Sequence, residues 1–279
     1  LSGKFFDAHN HLQDAGLAPH LAEILASREA LGIAGMVVNG TCEADWPRVA
    51  ELAAAHAWIR PSYGVHPWRV DEISANWRER LTERLDAGGC VGEIGLDRWK
   101  TDRNFDRQLE VFRWQLAEAA RRDEPMTIHC LRAWGALWDV IRLAAVPACG
   151  FLLHAYGGPL EMVRGFADRG AYFSFSGSFL SAGRERKLEP FCVVPLDRLL
   201  VETDAPSMPL PPELDRHPLP RDAGGEPVNH PGNLVVAYEG LARLRGMPLA
   251  ELADAVAENY ARLFGVLGVE RASAASPKG

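Results

Sequence analysis

FFDAHNH, residues 5–11, brings two aromatic side chains into a pair of histidines, His9 and His11. On an extended strand the side chains alternate with a period of two, so both imidazoles point to one side. They can then reach a single metal ion together. With 9 histidines in 279 residues, about 0.3 such pairs arise by chance, so the pair acquires meaning only if other parts of the chain return to it.

Seven further runs of apolar or β-branched residues follow the first at 5–9. They cover 33–39, 59–64, 90–94, 126–129, 150–154, 171–175 and 199–203, and each ends at a polar or glycine-containing turn. Between them lie segments with apolar residues at i, i+3 and i+4 spacing, over 17–31, 46–57, 77–86, 105–122, 134–144, 160–167 and 185–191. Asn104 stands where the helix over 105–122 needs an N-cap. Strand and helix alternating in this way imply a parallel sheet with helices outside it, and eight repeats close into a (β/α)8 TIM barrel, an α/β fold. A chain of 279 residues suits one such barrel as a single domain, with its core over about 5–265. Two closing helices are expected at 234–245 and 249–264. A loose tail is expected over 266–279.

The totals narrow the function. The chain is 47% hydrophobic and 24% charged, which is the composition of a soluble globular enzyme and excludes a disordered or fibrous chain. No apolar run approaches a membrane span, so no membrane partner is expected. Residues 1–4 carry neither the basic nor the apolar region of a secretory signal, which makes a cytoplasmic location the expectation. The five cysteines are odd in number and contain no C-x-x-C pair, against a disulfide framework or a zinc ribbon. Cys130 is expected in the core. The net charge of −7 offers no general attraction to nucleic acid and excludes a protein that coats DNA. It leaves a nuclease open, because a metal site carries its own positive charge.

If the barrel forms, its reactive groups belong at the carboxyl ends of the strands. His9 and His11 fall at the end of the first strand, Glu93 at the fourth, His129 at the fifth, His154 at the sixth and Asp204 just past the eighth. A barrel needs none of these residue types in order to fold. Four imidazoles and two carboxylates form a ligand set for a pair of divalent cations. Such a set accepts Zn, Mn, Mg, Ni or Fe.

FDAHNHL, GVHPW, VGEIGLD, IHC, LHAYGG, SFSGS, ETDAP and ENYARLFG, taken in order and spacing from residue 5 to 265, resemble the TatD family of metal-dependent hydrolases within the amidohydrolase superfamily. The resemblance implies a β/α barrel and phosphodiester hydrolysis, since members include deoxyribonucleases of the 3′ to 5′ exonuclease type. It implies one cation on His9, His11 and Asp204 and a second on His129 and His154. Glu93 would bridge the two, where other members of the superfamily use a carboxylated lysine. Two cations acidify a shared water and neutralise the charge on a scissile phosphate. Asp204 is then the group expected to orient that water and accept its proton.

The expected substrates are ends of DNA, with RNA ends as a further candidate. The same centre would also serve a hydrolase of small esters, amides or phosphates, or a metal-loaded protein without significant turnover. His66 is a candidate donor to a substrate phosphate or a turn-stabilising residue, and Arg132 a phosphate anchor or a surface ion-pair partner. Ser176, with Ser174, Gly177 and Ser178, would offer donors to a phosphate or form a tight turn. Trp68, Trp99 and Tyr156 would stack on bases or pack internally. Ala155 and Tyr156 stand where the family commonly has Cys and Phe. Residues 206–232, dense in Pro and Gly, are too long for a connector and are expected to form a lid or binding wall.

Overall fold

Residues 4–100 and 104–266 are described by the computed structural model. Eight strands lie side by side in sequence order and parallel throughout. They are β1 (Phe5–Asn10), β2 (Ile33–Asn39), β3 (Ile59–Tyr63), β4 (Cys90–Asp97), β5 (Met126–Leu131), β6 (Phe151–Leu153), β7 (Ala171–Ser176) and β8 (Leu199–Glu202). The helices between them are α1 (Leu21–Ser27), α2 (Trp46–Ala55), α3 (Trp77–Asp86), α4 (Phe105–Arg122), α5 (Trp134–Ile141), α6 (Met162–Asp168) and α7 (Glu185–Val193). Helices α8 (Leu234–Arg245) and α9 (Leu249–Phe264) complete the barrel. The eight strands and their helices match a (β/α)8 TIM barrel.

Several boundaries move from the sequence expectation. Strand β4 continues to Asp97 and β5 to Leu131, so Glu93 and His129 lie within strands and not at their ends. The first helical segment splits into a 3-10 turn at Ala18–His20 and the short α1, and α5 ends three residues early at Ile141. Helix α4 begins as expected, with the Asn104 side chain accepting the Arg107 N–H at 3.0 Å. The expected tail lies outside the described residues from 267 onward.

Glycine is required where β4 meets β5. Gly95 has φ +146°, and a Cβ there would sit 1.9 Å from the carbonyl oxygen of His129. The absent side chain lets the two strands approach beside the centre described below.

The seam between β1 and β8 is closed partly by side chains, because a backbone group in the interior must find a partner. Tyr238 on α8 accepts the Phe6 N–H and donates to the Phe6 carbonyl, both at 3.0 Å. Asp7 accepts the Thr203 N–H at 3.1 Å and its hydroxyl at 2.6 Å. At the carboxyl end the main chain takes over: Asp204 N donates to His9 O at 3.0 Å and His11 N to Ala205 O at 2.7 Å. The first strand and the residue after the last are thereby held in fixed register.

The stretch 206–232 is anchored directly beside that junction. Asn229 donates its N–H to Pro206 O at 2.8 Å and its side-chain amide to Thr203 O at 2.8 Å. Arg216 pairs with Glu239 of α8. These bonds tie the stretch to β8 and α8.

Candidate metal centre

Seven of the side chains singled out in the sequence converge at the carboxyl end of the barrel. Glu93, on β4, stands between two groups of imidazoles and divides its oxygens between them. Oε2 lies 3.6 Å from His9 Nε2 and 3.3 Å from His11 Nε2. Oε1 lies 3.1 Å from His129 Nδ1, 3.0 Å from His154 Nε2 and 3.4 Å from His66 Nε2. Asp204 Oδ1 joins the first group, 3.4 Å from both His9 Nε2 and His11 Nε2.

Backbone strain marks this face. Arg132 after β5, Ala155 after β6 and Asp204 after β8 all have positive φ, at 56°, 41° and 54°. Residues other than glycine persist in that region only where their surroundings hold them, as at functional sites.

The outer ring nitrogens decide which lone pairs face inward. His11 Nδ1 is 2.7 Å from the Asn39 carbonyl, which can only accept, so in the neutral ring the proton sits there and Nε2 carries the lone pair. His129 Nε2 is 2.9 Å from Asp97 Oδ2, and His154 Nδ1 is 3.4 Å from Glu202 Oε1. In its neutral form each ring therefore keeps its proton on the outer nitrogen and turns a lone pair toward Glu93. The inner nitrogens of His129 and His154 lie 3.2 Å apart, as do Nε2 of His9 and His11. Imidazole nitrogens facing each other beside carboxylates fit divalent cations, and the carboxylate or carbonyl behind His11, His129 and His154 is the usual support of a ligating histidine.

His66 is the exception. Its Nδ1 accepts the Trp68 N–H at 3.1 Å, so the neutral ring carries its proton on Nε2 and presents a donor.

The electrostatics are those of one buried cluster. Burial alone would push the carboxyls of Glu93 and Asp204 up, but the imidazoles around them outweigh it and hold both below the ordinary carboxylate range. Burial would likewise depress His11 and His154, yet carboxylates win and raise both: Asp204 and Glu93 at His11, Glu93 and Glu202 at His154. His66 goes the other way. Burial dominates there and pushes its pKa down to about 4, which keeps the ring neutral.

Residues 6–265 match the family described as TatD related DNase, nearly the whole chain. The chain belongs to this family. Among its relatives is a protein from Escherichia coli K12 described as an uncharacterized metal-dependent hydrolase, YjjV. The two are 28% identical, over 94% of this chain and 98% of the relative. The crystal structure of YjjV superposes with a TM-score of 0.84 at 27% identity, covering 94% of this chain and 98% of that one. The 3'-5' ssDNA/RNA exonuclease TatD of Pantoea ananatis is 30% identical over 94% of this chain and all of its own length. The protein is thus a TatD-family metal-dependent hydrolase, with histidine, glutamate and aspartate side chains placed to hold metal ions.

Of the peripheral residues named from sequence, the structure keeps some at the mouth of this TatD-family barrel and removes others. Trp68 lies beside the centre, its ring 5.1 Å from that of His66. Arg132 is exposed and has no ion pair or side-chain hydrogen bond among the described residues. Tyr156 does not present a stacking face: it is 0% exposed, packs against Trp134 and Phe173, and donates its hydroxyl to Pro159 O. Ser176 is also fully buried, its hydroxyl 3.1 Å from that of Ser178, so it offers solvent no donor. Ser174 spends its hydroxyl on Glu202 and accepts the Ala155 N–H. Cys130 packs in the core as expected.

Asp97 and Glu202 were not singled out in the sequence. Asp97 shares strand parity with Glu93, four positions earlier on β4, and that parity is the signal that would have found it; Glu202 ends β8 two residues before Asp204.

Proposed function

We propose that the protein is a phosphodiesterase that removes nucleotides from single-stranded DNA or RNA ends, in the 3′ to 5′ direction, on a pair of divalent cations. The observation that carries the reading is the division of Glu93 between two sets of imidazole nitrogens. His9, His11 and Asp204 would hold one cation, His129 and His154 the other, and Glu93 would touch both. Bound there, the cations would acidify a water and neutralise charge on the scissile phosphate. The chain's own groups do the rest. Asp204 meets both imidazoles through Oδ1, which leaves Oδ2 to take the proton of the attacking water. As the P–O bond to water forms, the P–O3′ bond to the shortened strand breaks. Asp204 returns the proton to that leaving oxygen. His66, neutral with its proton on Nε2, donates to a non-bridging phosphate oxygen, and the unpaired Arg132 anchors a neighbouring phosphate. The name and function of the Pantoea ananatis relative support the direction and the substrate.

The test is to incubate the purified protein with end-labelled single-stranded DNA and RNA and Mg²⁺, Mn²⁺ or Zn²⁺, with EDTA as the control. Stepwise loss from the 3′ end that stops with EDTA is expected. The net charge of −7 favours a second reading, a hydrolase of small esters, amides or phosphates. Turnover of an aryl phosphate or ester without shortening of either strand would establish that reading and overturn the first.

A further inference from the structure

We infer that Trp99 is the stacking face of a subsite for the terminal nucleobase of a single-stranded substrate, with Lys100 beside it for the adjoining phosphate. The inference rests on the phosphodiesterase reading above. Asp97 is its structural basis. One oxygen of this carboxylate accepts from His129 Nε2 and from the Trp68 indole N–H, each at 2.9 Å. The other accepts the Trp99 main-chain N–H at 2.6 Å. A single side chain thus fixes a ring of the metal centre together with both tryptophans of the adjoining wall.

The two tryptophans are not equivalent. Trp68 has its edge committed to Asp97 and a face covered by the Lys100 ammonium, 3.7 Å from the ring centroid. Trp99 stands 6.1 Å further out, centroid to centroid, and is 49% exposed. Of the protein's 8 tryptophans it is the exposed one. A large aromatic surface left in water next to a reaction centre is a binding feature when the substrate brings a matching surface. Every nucleobase has a flat π face, and that face is free only where the base is unpaired. A cation within reach of the same wall suits the phosphate that accompanies the base.

The experiment compares KM for two single-stranded oligonucleotides with the metal-loaded protein, one ending in a normal 3′ nucleotide and one in an abasic 3′ residue. The wild type should favour the base-bearing end by about tenfold, the scale of one base on an aromatic ring. In Trp99→Ala that preference collapses, and in Trp99→Phe most of it remains. A 3′-terminal 2-aminopurine should also be quenched on mixing with the wild type and not with Trp99→Ala. Equal preference in wild type and Trp99→Ala overturns the subsite while leaving the nuclease reading intact. Failure of the wild type to shorten either strand overturns both.

Discussion

On the Oε2 side of Glu93 the ligands are set by the main chain, and on the Oε1 side by other carboxylates. His9 lies on β1 and His11 directly follows it, and main-chain bonds from these two residues to 204 and 205 fix Asp204 against them. His11 leans on the Asn39 carbonyl, and His9 Nδ1 finds no hydrogen-bond partner among the described residues. His129 sits on β5 and His154 directly after β6, and each is backed by an anion, Asp97 or Glu202. A carboxylate behind an imidazole makes its inner nitrogen more basic and locks its tautomer. One half of the centre therefore depends on barrel closure, and the other on replaceable side chains.

The sharpest way to break this comparison is at Asp204, the residue that barrel closure places. Asp204→Asn keeps the shape and loses the base. It should lower kcat by about 10²–10⁴-fold, the range of a general base, while metal analysis still finds cation bound. Normal turnover in this variant would move the proton transfer elsewhere. A smaller effect sharpens the other half. Asp97→Asn should weaken one of two cation-binding steps by about 10–100-fold and spare the other, as read by calorimetric titration. Glu202→Gln should do less, because its contact to His154 is 3.4 Å against 2.9 Å for Asp97 and His129. Equal shifts in both steps would erase the distinction between the halves.

The barrel and the convergent cluster of histidines and carboxylates were legible in the sequence for different reasons. Alternating strand and helix patterns repeat eight times and state the fold. The cluster stands out because histidines and carboxylates toward the carboxyl ends of strands do nothing for a barrel's core. What supports them was harder to read. Asp97 and Glu202 are the last residues of β4 and β8, and their purpose depends on a partner on a neighbouring strand or loop. Tyr156 and Ser176 look like surface binding groups in sequence, yet their polar atoms satisfy internal partners, and only packing distinguishes the two. The role of His66 turns on a main-chain N–H two residues later, a local turn geometry that composition does not encode.

The central claim is that Glu93 joins two cation positions. Anomalous diffraction from crystals of the protein grown with Mn²⁺ tests it most directly. The account predicts two peaks, one on each side of the Glu93 carboxylate, the first among His9, His11 and Asp204 and the second against His129 and His154. A single peak, or peaks that leave Glu93 uncoordinated, would contradict it.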